Sequence, residues 1–191
     1  MKALFGLGNP GRAYEKTRHN IGFRVIQHFA EKADTPLKKS AVLEAVWGKC
    51  PSAQEDIRLC LPQASMNLSG KVVMRCLKRW NLRPEEMLVV VDDLRLPLGQ
   101  LRIRPEGTDG GQKGLRSIIE TLGTGRFPRL RIGIQSASLS GPWEAFVLSP
   151  FTRQEKPLVE EVVEKAAACC HLWIEKGMAA CMNRFNAKGL S

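Results

Sequence analysis

One histidine in this sequence stands where it could act as a base. His19 lies in the polar segment Tyr14–Gly22, between a glycine-rich turn and a helix-like apolar pattern. The unperturbed pKa of histidine, about 6.5, suits the abstraction of a proton from water near neutral pH. A lone histidine is more often structural, and His28 and His171, which fall within helical patterns, keep that interpretation. His19 is therefore a candidate base only if the fold brings other polar side chains to it.

Polar side chains that could assist such a base stand in separate segments. Asn9 lies in the glycine-rich turn Gly6–Gly11, and Asn67 follows a short predicted strand. Asp92 comes directly after the apolar run Met87–Val91, at the carboxyl end of a predicted strand, where sites gather in α/β sheets. A carboxylate can orient an imidazole, and neutral amides can donate and accept without competing for the proton. A second acid follows Asp92, but no further metal ligands accompany the pair.

The turn Gly6–Gly11 also satisfies the G-x-G-x-x-G spacing of dinucleotide-binding folds. Pro10 argues against that function, because it removes an amide donor where a pyrophosphate would be bound. No acid suited to a ribose is evident, since Glu31 and Asp34 follow helix-like sequence. A structural turn is therefore favoured over a nucleotide site. A second flexible loop, Gly107–Gly114, is suited to a backbone that approaches an anion.

Basic residues outnumber acidic ones, 29 to 19, for a formal net charge of +10. Between Leu94 and Arg131 the acids are Glu106, Asp109 and Glu120. The basic residues of the same stretch, which are mostly arginines, are Arg95, Arg102, Arg104, Lys113, Arg116, Arg126, Arg129 and Arg131. This concentration favours a polyanionic partner such as nucleic acid, and a solubilising surface charge is the alternative.

Neither a metal nor a cofactor is indicated. The six cysteines include no Cys-x-x-Cys pair and the three histidines form no ligand cluster. Cys169, Cys170 and Cys181 fall at apolar helical positions, where a reduced thiol acts as a small hydrophobe. No apolar run approaches the roughly 18 residues of a membrane helix, and the amino terminus reaches glycines before a signal-peptide core could form. A cytoplasmic protein is expected.

The elements that must position these residues alternate between strands and helices. Strands are predicted at Lys2–Gly6, Val42–Val46, Ile57–Leu61, Met87–Val91, Leu101–Arg104 and Leu130–Ile134. Helices are predicted from Asn20, after a cap at Asn67 or Ser69, at Leu115–Leu122, at Glu155–Lys176 up to Gly177, and near Met178–Phe185. This order predicts one α/β domain over residues 1–191 with a mixed β-sheet.

The ordered motifs together resemble the bacterial-type peptidyl-tRNA hydrolase family. They read G-L-G-N-P-G-x-x-Y-x-x-T-R-H-N-x-G, M-N-x-S-G, D-D-L-x-L-P-L-G, G-G-x-x-G-L-x-S-I-I and F-P-R-L-R-I-G-I, and they extend from the amino terminus to about Leu148. The resemblance implies a single domain with a twisted mixed β-sheet flanked by helices, monomeric behaviour and no metal. It also implies a hydrolase that binds peptidyl-tRNA, cleaves the ester bond between peptide and tRNA, and thereby recycles tRNA during translation.

The resemblance also implies a role for each site residue. His19 would be the general base, with Asp92 as its orienting partner and Asn9 and Asn67 at the same site. The residues expected to contact the substrate are Tyr14, Met66, Gln112, Lys113, Arg104 and Arg131, of which the two arginines would bind the phosphate at the 5′ end of the tRNA, near the acceptor stem.

The chain departs from the family pattern at three places. Gln112-Lys113 stands where the family usually has His-Asn, so the oxyanion role of that asparagine is open and Lys113 is a candidate replacement. Ser65 stands where an aromatic residue commonly precedes Met-Asn, and Arg95 replaces a common acid. A non-catalytic RNA-binding relative is therefore the alternative to an active enzyme.

Overall fold

Short apolar strands alternate with amphipathic helices along the chain, and together they build one mixed sheet with helices on both faces. The computed structural model describes residues 1–50, 56–137 and 141–186. The strands in these ranges are β1 (Lys2–Gly6), β2 (Lys38–Ser40), β3 (Ala45–Cys50), β4 (Ile57–Pro62), β5 (Met87–Pro97), β6 (Leu101–Arg104) and β7 (Arg129–Gln135). The helices are α1 (Ile21–Lys32), α2 (Ser69–Trp80), α3 (Lys113–Leu122), α4 (Trp143–Val147) and α5 (Lys156–Phe185).

The described strands form a seven-stranded sheet in the order β2-β3-β4-β1-β5-β7-β6. The central strands β4, β1, β5 and β7 are parallel, and antiparallel strands flank them on both sides. From β1 the chain crosses towards β4, whereas from β5 it crosses towards β7. The connections thus diverge between β1 and β5, which leaves a crevice at the carboxyl ends of these strands, where α/β sheets bind ligands.

Both faces of the central strands are covered by helices. Within the described part of the chain, one core cluster joins the sheet to α1 and α5, and a second joins it to α2 and α3. The continuous apolar run at the start of β5 contributes to both clusters, since Leu88 and Val90 point to the first and Val89 and Val91 to the second. The α/β class with a mixed sheet flanked by helices is confirmed.

The predicted strand at Val42–Val46 was wrong in its bounds. The strand is β3, Ala45–Cys50, and the short strand β2 before it was not predicted. The residues between them form the turn of the hairpin, in which Val42 is 79% exposed and Glu44 has a φ of 51°. The consecutive apolar residues of this turn, Ala41, Val42 and Leu43, were therefore mistaken for the start of a strand.

The other predicted elements are present; β1 and β6 have the predicted bounds, and most of the others are longer than predicted. Strand β5 continues beyond Val91 to Pro97, and α4 was not predicted because one turn of helix shows no period. Gly177 interrupts α5 with non-helical backbone angles, so the segment after it corresponds to the predicted last helix. Among the described residues, no helix combines the length and the apolar character that crossing a bilayer requires.

Candidate active site

His19 lies on a short 3-10 turn directly before α1. The preceding residue anchors this turn: the guanidinium of Arg18 lies against the rings of Phe146 and Phe151, at 4.3 and 4.7 Å from their centroids. The same group donates a hydrogen bond of 2.7 Å to the carboxylate of Glu155. Since Arg18 is almost fully buried, the position of His19 is linked to the segment that joins α4 to α5.

The imidazole of His19 is oriented by Asp92, which follows the apolar half of β5. Nδ1 of His19 lies 2.9 Å from Oδ2 of Asp92, and the two side chains are 9% and 4% exposed. An ionised carboxylate only accepts hydrogen bonds, so Nδ1 carries the proton and Nε2 keeps a lone pair. This tautomer is the one that a base needs, with its accepting nitrogen on the edge of the ring away from Asp92.

Opposing effects act on the pKa of His19. Burial lowers the pKa because the imidazolium form loses hydration, while the charge of Asp92 and its hydrogen bond raise the pKa; the charge of Lys113 lowers it again. The net result is a pKa above the ordinary value of about 6.5. The neutral imidazole is consequently a stronger proton acceptor than free histidine.

Asn9 enters the site with its amide already oriented. Its backbone N–H donates to Oδ1 of Asn20 at 2.8 Å, and Nδ2 of Asn20 donates back to the carbonyl of Asn9 at 2.9 Å. Oδ1 of Asn9 accepts the backbone N–H of Met66 at 2.9 Å. Its Nδ2 makes no hydrogen bond within the described ranges, so Asn9 offers a donor to the cavity that it lines.

Asn67 lies in a 3-10 turn, Met66–Leu68, just before α2. Its side chain is exposed and lines the same cavity as Asn9. Neither Asn67 nor Ser69 caps the helix by a side-chain hydrogen bond, because Leu68 occupies the capping position. The predicted capping role was therefore wrong, and the amide of Asn67 stays available to a ligand.

Gln112 is buried and uses its amide inside the protein. Its Oε1 caps α3 by accepting the backbone N–H of Leu115 at 2.8 Å. Its Nε2 donates to Oδ1 of Asp92 at 3.1 Å and lies 3.4 Å from Sδ of Met66. The next side chain, Lys113, is exposed and lines the cavity. Both residues line the cavity, but only Gln112 is buried, with its amide bonded inside the protein.

The cavity beside His19 has a volume of about 710 Å³. The site residues that line it are Asn9, His19, Met66, Asn67, Asp92, Gln112 and Lys113. Apolar side chains also line it, namely Leu94 and, from the α4 region, Trp143, Val147 and Leu148. A cavity with both polar and apolar lining suits a peptide, whose backbone needs hydrogen bonds and whose side chains need apolar contact.

Strands β6 and β7 carry four arginines on one face of the sheet. In their antiparallel register Arg102 lies opposite Arg131 and Arg104 lies opposite Arg129. Since side chains alternate between faces, all four share the same side. Arg102 and Arg104 are exposed, whereas Arg129 is buried.

The inner arginines of this face also organise the loop that leads to Gln112. Arg131 donates to the carboxylate of Asp93 at 3.2 Å and to the carbonyl of Thr108 at 2.8 Å. Burial and the charge of Arg131 lower the pKa of Arg129 to about 10, which leaves it protonated at neutral pH. The backbone carbonyls that accept hydrogen bonds from Arg129 belong to Gly107, Thr108, Gly125 and Phe127.

The fold brings most of the predicted site residues to one cavity, including Arg131 at its basic end. Tyr14 and Arg104 are exposed but do not line this cavity. Sequence reasoning missed Asn20, which orients Asn9, and Trp143, which is 63% exposed. The signal for Asn20 was its position beside His19. The signal for Trp143 was a large aromatic residue that belongs to no periodic apolar pattern.

No group of three or more potential metal ligands of the His, Cys, Asp or Glu type occurs among the described residues. The six cysteine side chains are buried in the two core clusters. Cys169, Cys170 and Cys181 are on α5 and belong to the core cluster that joins this helix to the sheet, in agreement with their interpretation as small hydrophobes.

Comparison with known proteins identifies the family. A model of the peptidyl-tRNA hydrolase family matches residues 3–191. The chain belongs to the peptidyl-tRNA hydrolase family. It is 44% identical to the peptidyl-tRNA hydrolase of Syntrophomonas wolfei and 40% identical to that of Shouchella clausii, with 97% of this chain and 100% of each relative covered. Membership makes the chain an enzyme with peptidyl-tRNA hydrolase activity.

A solved structure agrees with the fold. The crystal structure of peptidyl-tRNA hydrolase from Acinetobacter baumannii superposes with a TM-score of 0.91 at 32% identity, over 100% of this chain and 97% of that chain. The expected family and fold are therefore both confirmed. In the structure the first glycine-rich turn places Asn9 beside Met66.

Proposed function

We propose that His19 is the general base that activates water against the ester bond between peptide and tRNA. The observation that carries this proposal is the buried pair of His19 and Asp92, 2.9 Å apart, at a cavity of about 710 Å³. Asp92 holds the proton on Nδ1, so Nε2 is the atom that accepts a proton from water. The reaction releases a free peptide and a tRNA that can be charged again for translation, and we place it in the cytoplasm, where ribosomes generate its substrate.

The steps follow from these groups. Nε2 of His19 takes a proton from water as the oxygen of the water attacks the ester carbonyl carbon. The carbonyl oxygen becomes an oxyanion, for which Nδ2 of Asn9 is a suitably uncommitted donor. Collapse of the intermediate breaks the bond to the ribose oxygen, which receives the proton from His19. Asn67 and Lys113 line the same cavity and can bind the last peptide unit or further stabilise the negative charge.

For the tRNA we propose the basic face of β6 and β7. Arg104 and Arg131 lie on the same side of adjacent strands, and a guanidinium matches the geometry of a phosphate. Arg131 borders the cavity while Arg104 lies outside it, so this face is continuous with the site of the ester. Met66 lines the cavity, and Tyr14, exposed beyond it, is a candidate contact for the more distant part of the substrate.

The test of the base is His19→Ala in a hydrolysis assay with a peptidyl-tRNA. We expect the rate to fall roughly 10²–10⁴-fold while tRNA binding is kept, since only proton transfer is lost. The matched control is His28→Ala, because His28 lies on α1 against Glu164 and does not line the cavity. Near-normal turnover by the His19 variant would contradict the proposal.

A further inference from the structure

We infer that Gln112 is a positioning residue that holds Asp92 in the orientation that fixes His19; the inference rests on the proposed role of His19 as base. Gln112 is 7% exposed, and its amide is fully engaged within the protein. Nε2 donates to Oδ1 of Asp92 at 3.1 Å, the oxygen that His19 does not use. This assignment differs from the expectation that Gln112 contacts the substrate.

The carboxylate of Asp92 depends on this amide. Asp92 is 3% exposed, so water gives it little support. Oδ2 accepts from His19 and Oδ1 accepts from Gln112, whereas the nearby guanidinium of Arg131 pairs with Asp93. Without Nε2 of Gln112, Oδ1 of Asp92 is a buried oxygen that lacks a hydrogen-bond partner. The carboxylate then lowers its free energy by rotating away from the imidazole. The orientation of His19 therefore depends on a residue that does not touch it.

The amide of Gln112 is itself held at both ends. Oε1 accepts the backbone N–H of Leu115 and thus fixes the side chain to the first turn of α3. Because Oε1 must face this N–H donor, Nε2 must face Asp92, and the amide cannot reverse without losing both bonds. Helix α3 thereby supplies a rigid donor to the carboxylate.

The same amide closes a chain of contacts around the cavity. Nε2 lies 3.4 Å from Sδ of Met66, and the backbone N–H of Met66 holds Oδ1 of Asn9. The proposed base and the proposed oxyanion donor are thus positioned by a common set of loops. A glutamine suits this place because it donates and accepts hydrogen bonds without carrying a charge. It therefore adds no further negative charge beside His19 and Asp92.

The decisive variant is Gln112→Glu. Glutamate keeps the shape of the side chain and an oxygen that can cap Leu115, but it replaces the donor to Asp92 with a second carboxylate. We expect kcat to fall at least tenfold with KM within about twofold of the unaltered value. The acid limb of kcat/KM should move to higher pH, because added negative charge raises the pKa of His19.

Two further variants frame this result. Gln112→His is the conservative rescue, since one ring nitrogen can donate to Asp92 while the other accepts from Leu115; it should retain most of kcat and the original pH profile. Gln63→Glu is the matched charge control, because Gln63 bonds to the carbonyl of Leu61 and does not line the cavity. It should leave kcat and the pH profile unchanged.

The outcomes separate this inference from the proposed function. An unaltered kcat and pH profile in Gln112→Glu, or a change confined to KM, would overturn the positioning role, the second in favour of a substrate contact. If His19→Ala is inactive while Gln112→Glu is normal, only this inference fails; if His19→Ala is active, the proposed base fails. If Gln112→Glu does not fold, the test is the ¹⁵N chemical shifts of His19 in Gln112→Asn. The shorter side chain should hold Asp92 less firmly, so both neutral tautomers of the His19 imidazole should be populated. A single Nδ1–H tautomer would contradict the inference.

Discussion

At the scale of single residues, the site shows how a partly buried imidazole keeps a raised pKa. Burial disfavours the charged form of His19, and Lys113 adds a second effect in the same direction. Asp92 outweighs both because it lies at hydrogen-bond distance in a poorly solvated place, where a charge acts more strongly than in water. The basicity of His19 is therefore a balance between burial and Lys113, which lower the pKa, and Asp92, which raises it. Substitution of either charged residue shifts this balance.

This balance predicts opposite shifts of the pH profile. A base works when it is deprotonated, so kcat/KM should fall as the pH drops through the raised pKa of His19. Asp92→Asn should move this limb to lower pH and also reduce the rate, whereas Lys113→Gln should move it to higher pH. Profiles of kcat/KM between about pH 5 and 9 measure both shifts.

The control for Lys113→Gln is Arg116→Gln. It removes a charge of the same sign from the same helix, from a side chain that does not line the cavity. Movement of the limb by an equal amount in both variants would mean that net charge, and not the placement of Lys113, sets the pKa of His19.

At the scale of elements, the site depends on the close approach of α1 to the central strands. Gly22, at the start of α1, has no room for a Cβ: one placed there would lie 2.4 Å from the carbonyl of Val90 and 2.7 Å from the backbone N of Leu7. Gly6 on β1 faces the same contact. These glycines let the turn that carries His19 come close to β5, the strand that contains Asp92.

Gly22→Ala should therefore disturb both stability and catalysis. We expect the free energy of unfolding to fall by about 1–3 kcal/mol, as for other overpacked sites, because backbone atoms must move. We also expect a loss of kcat, since the turn before α1 shifts with the helix. Denaturant unfolding and steady-state kinetics measure the two effects.

Gln27→Ala is the comparison in the same helix, because Gln27 is exposed and alanine is the better helix former. It should leave stability within a few tenths of a kcal/mol. Equal stability of the Gly22 variant and the unaltered chain would show that the helix relaxes freely, contrary to this account.

At the scale of the whole molecule, the placement of the arginine face of β6 and β7 says more about the partner than the net charge does. The net charge of +10 alone indicates only a polyanionic partner. The topology adds direction, since β6 is an edge strand and β7 pairs with β5, the strand that carries Asp92 of the proposed catalytic pair. The arginine face therefore leads from one edge of the sheet to the proposed site of the ester.

Replacing both Arg104 and Arg131 by Gln should weaken tRNA binding and reduce its dependence on salt. For each phosphate that the variant no longer neutralises, the slope of log K against log salt concentration should become shallower by about one. Binding titrations between roughly 50 and 200 mM salt measure this slope.

The paired control is Lys38→Gln with Lys39→Gln, which removes the same charge from β2 at the opposite edge of the sheet. An equal change of slope in the two double variants would mean that Arg104 and Arg131 act only as general surface charge.

Local sequence patterns were sufficient for several elements. The bounds of β1 and β6 and the buried run in β5 follow from the period and composition of their own residues. The bounds of β3 were wrong and β2 was missed, because these strands depend on the pairing of β3 with β4, which no local pattern reveals. Helix α4 was missed because one turn gains its stability from packing, not from its own sequence.

The sequence by itself determined the family, the basic character and the residue types available for the chemistry, because spaced motifs and charges are properties of the chain. Only the tertiary structure decided what each amide does. It committed Gln112 to Asp92 and Leu115, left a donor on Asn9, and separated Lys113 from its neighbour. A hydrogen bond is directional and short, so its partners are set by where distant segments meet in space.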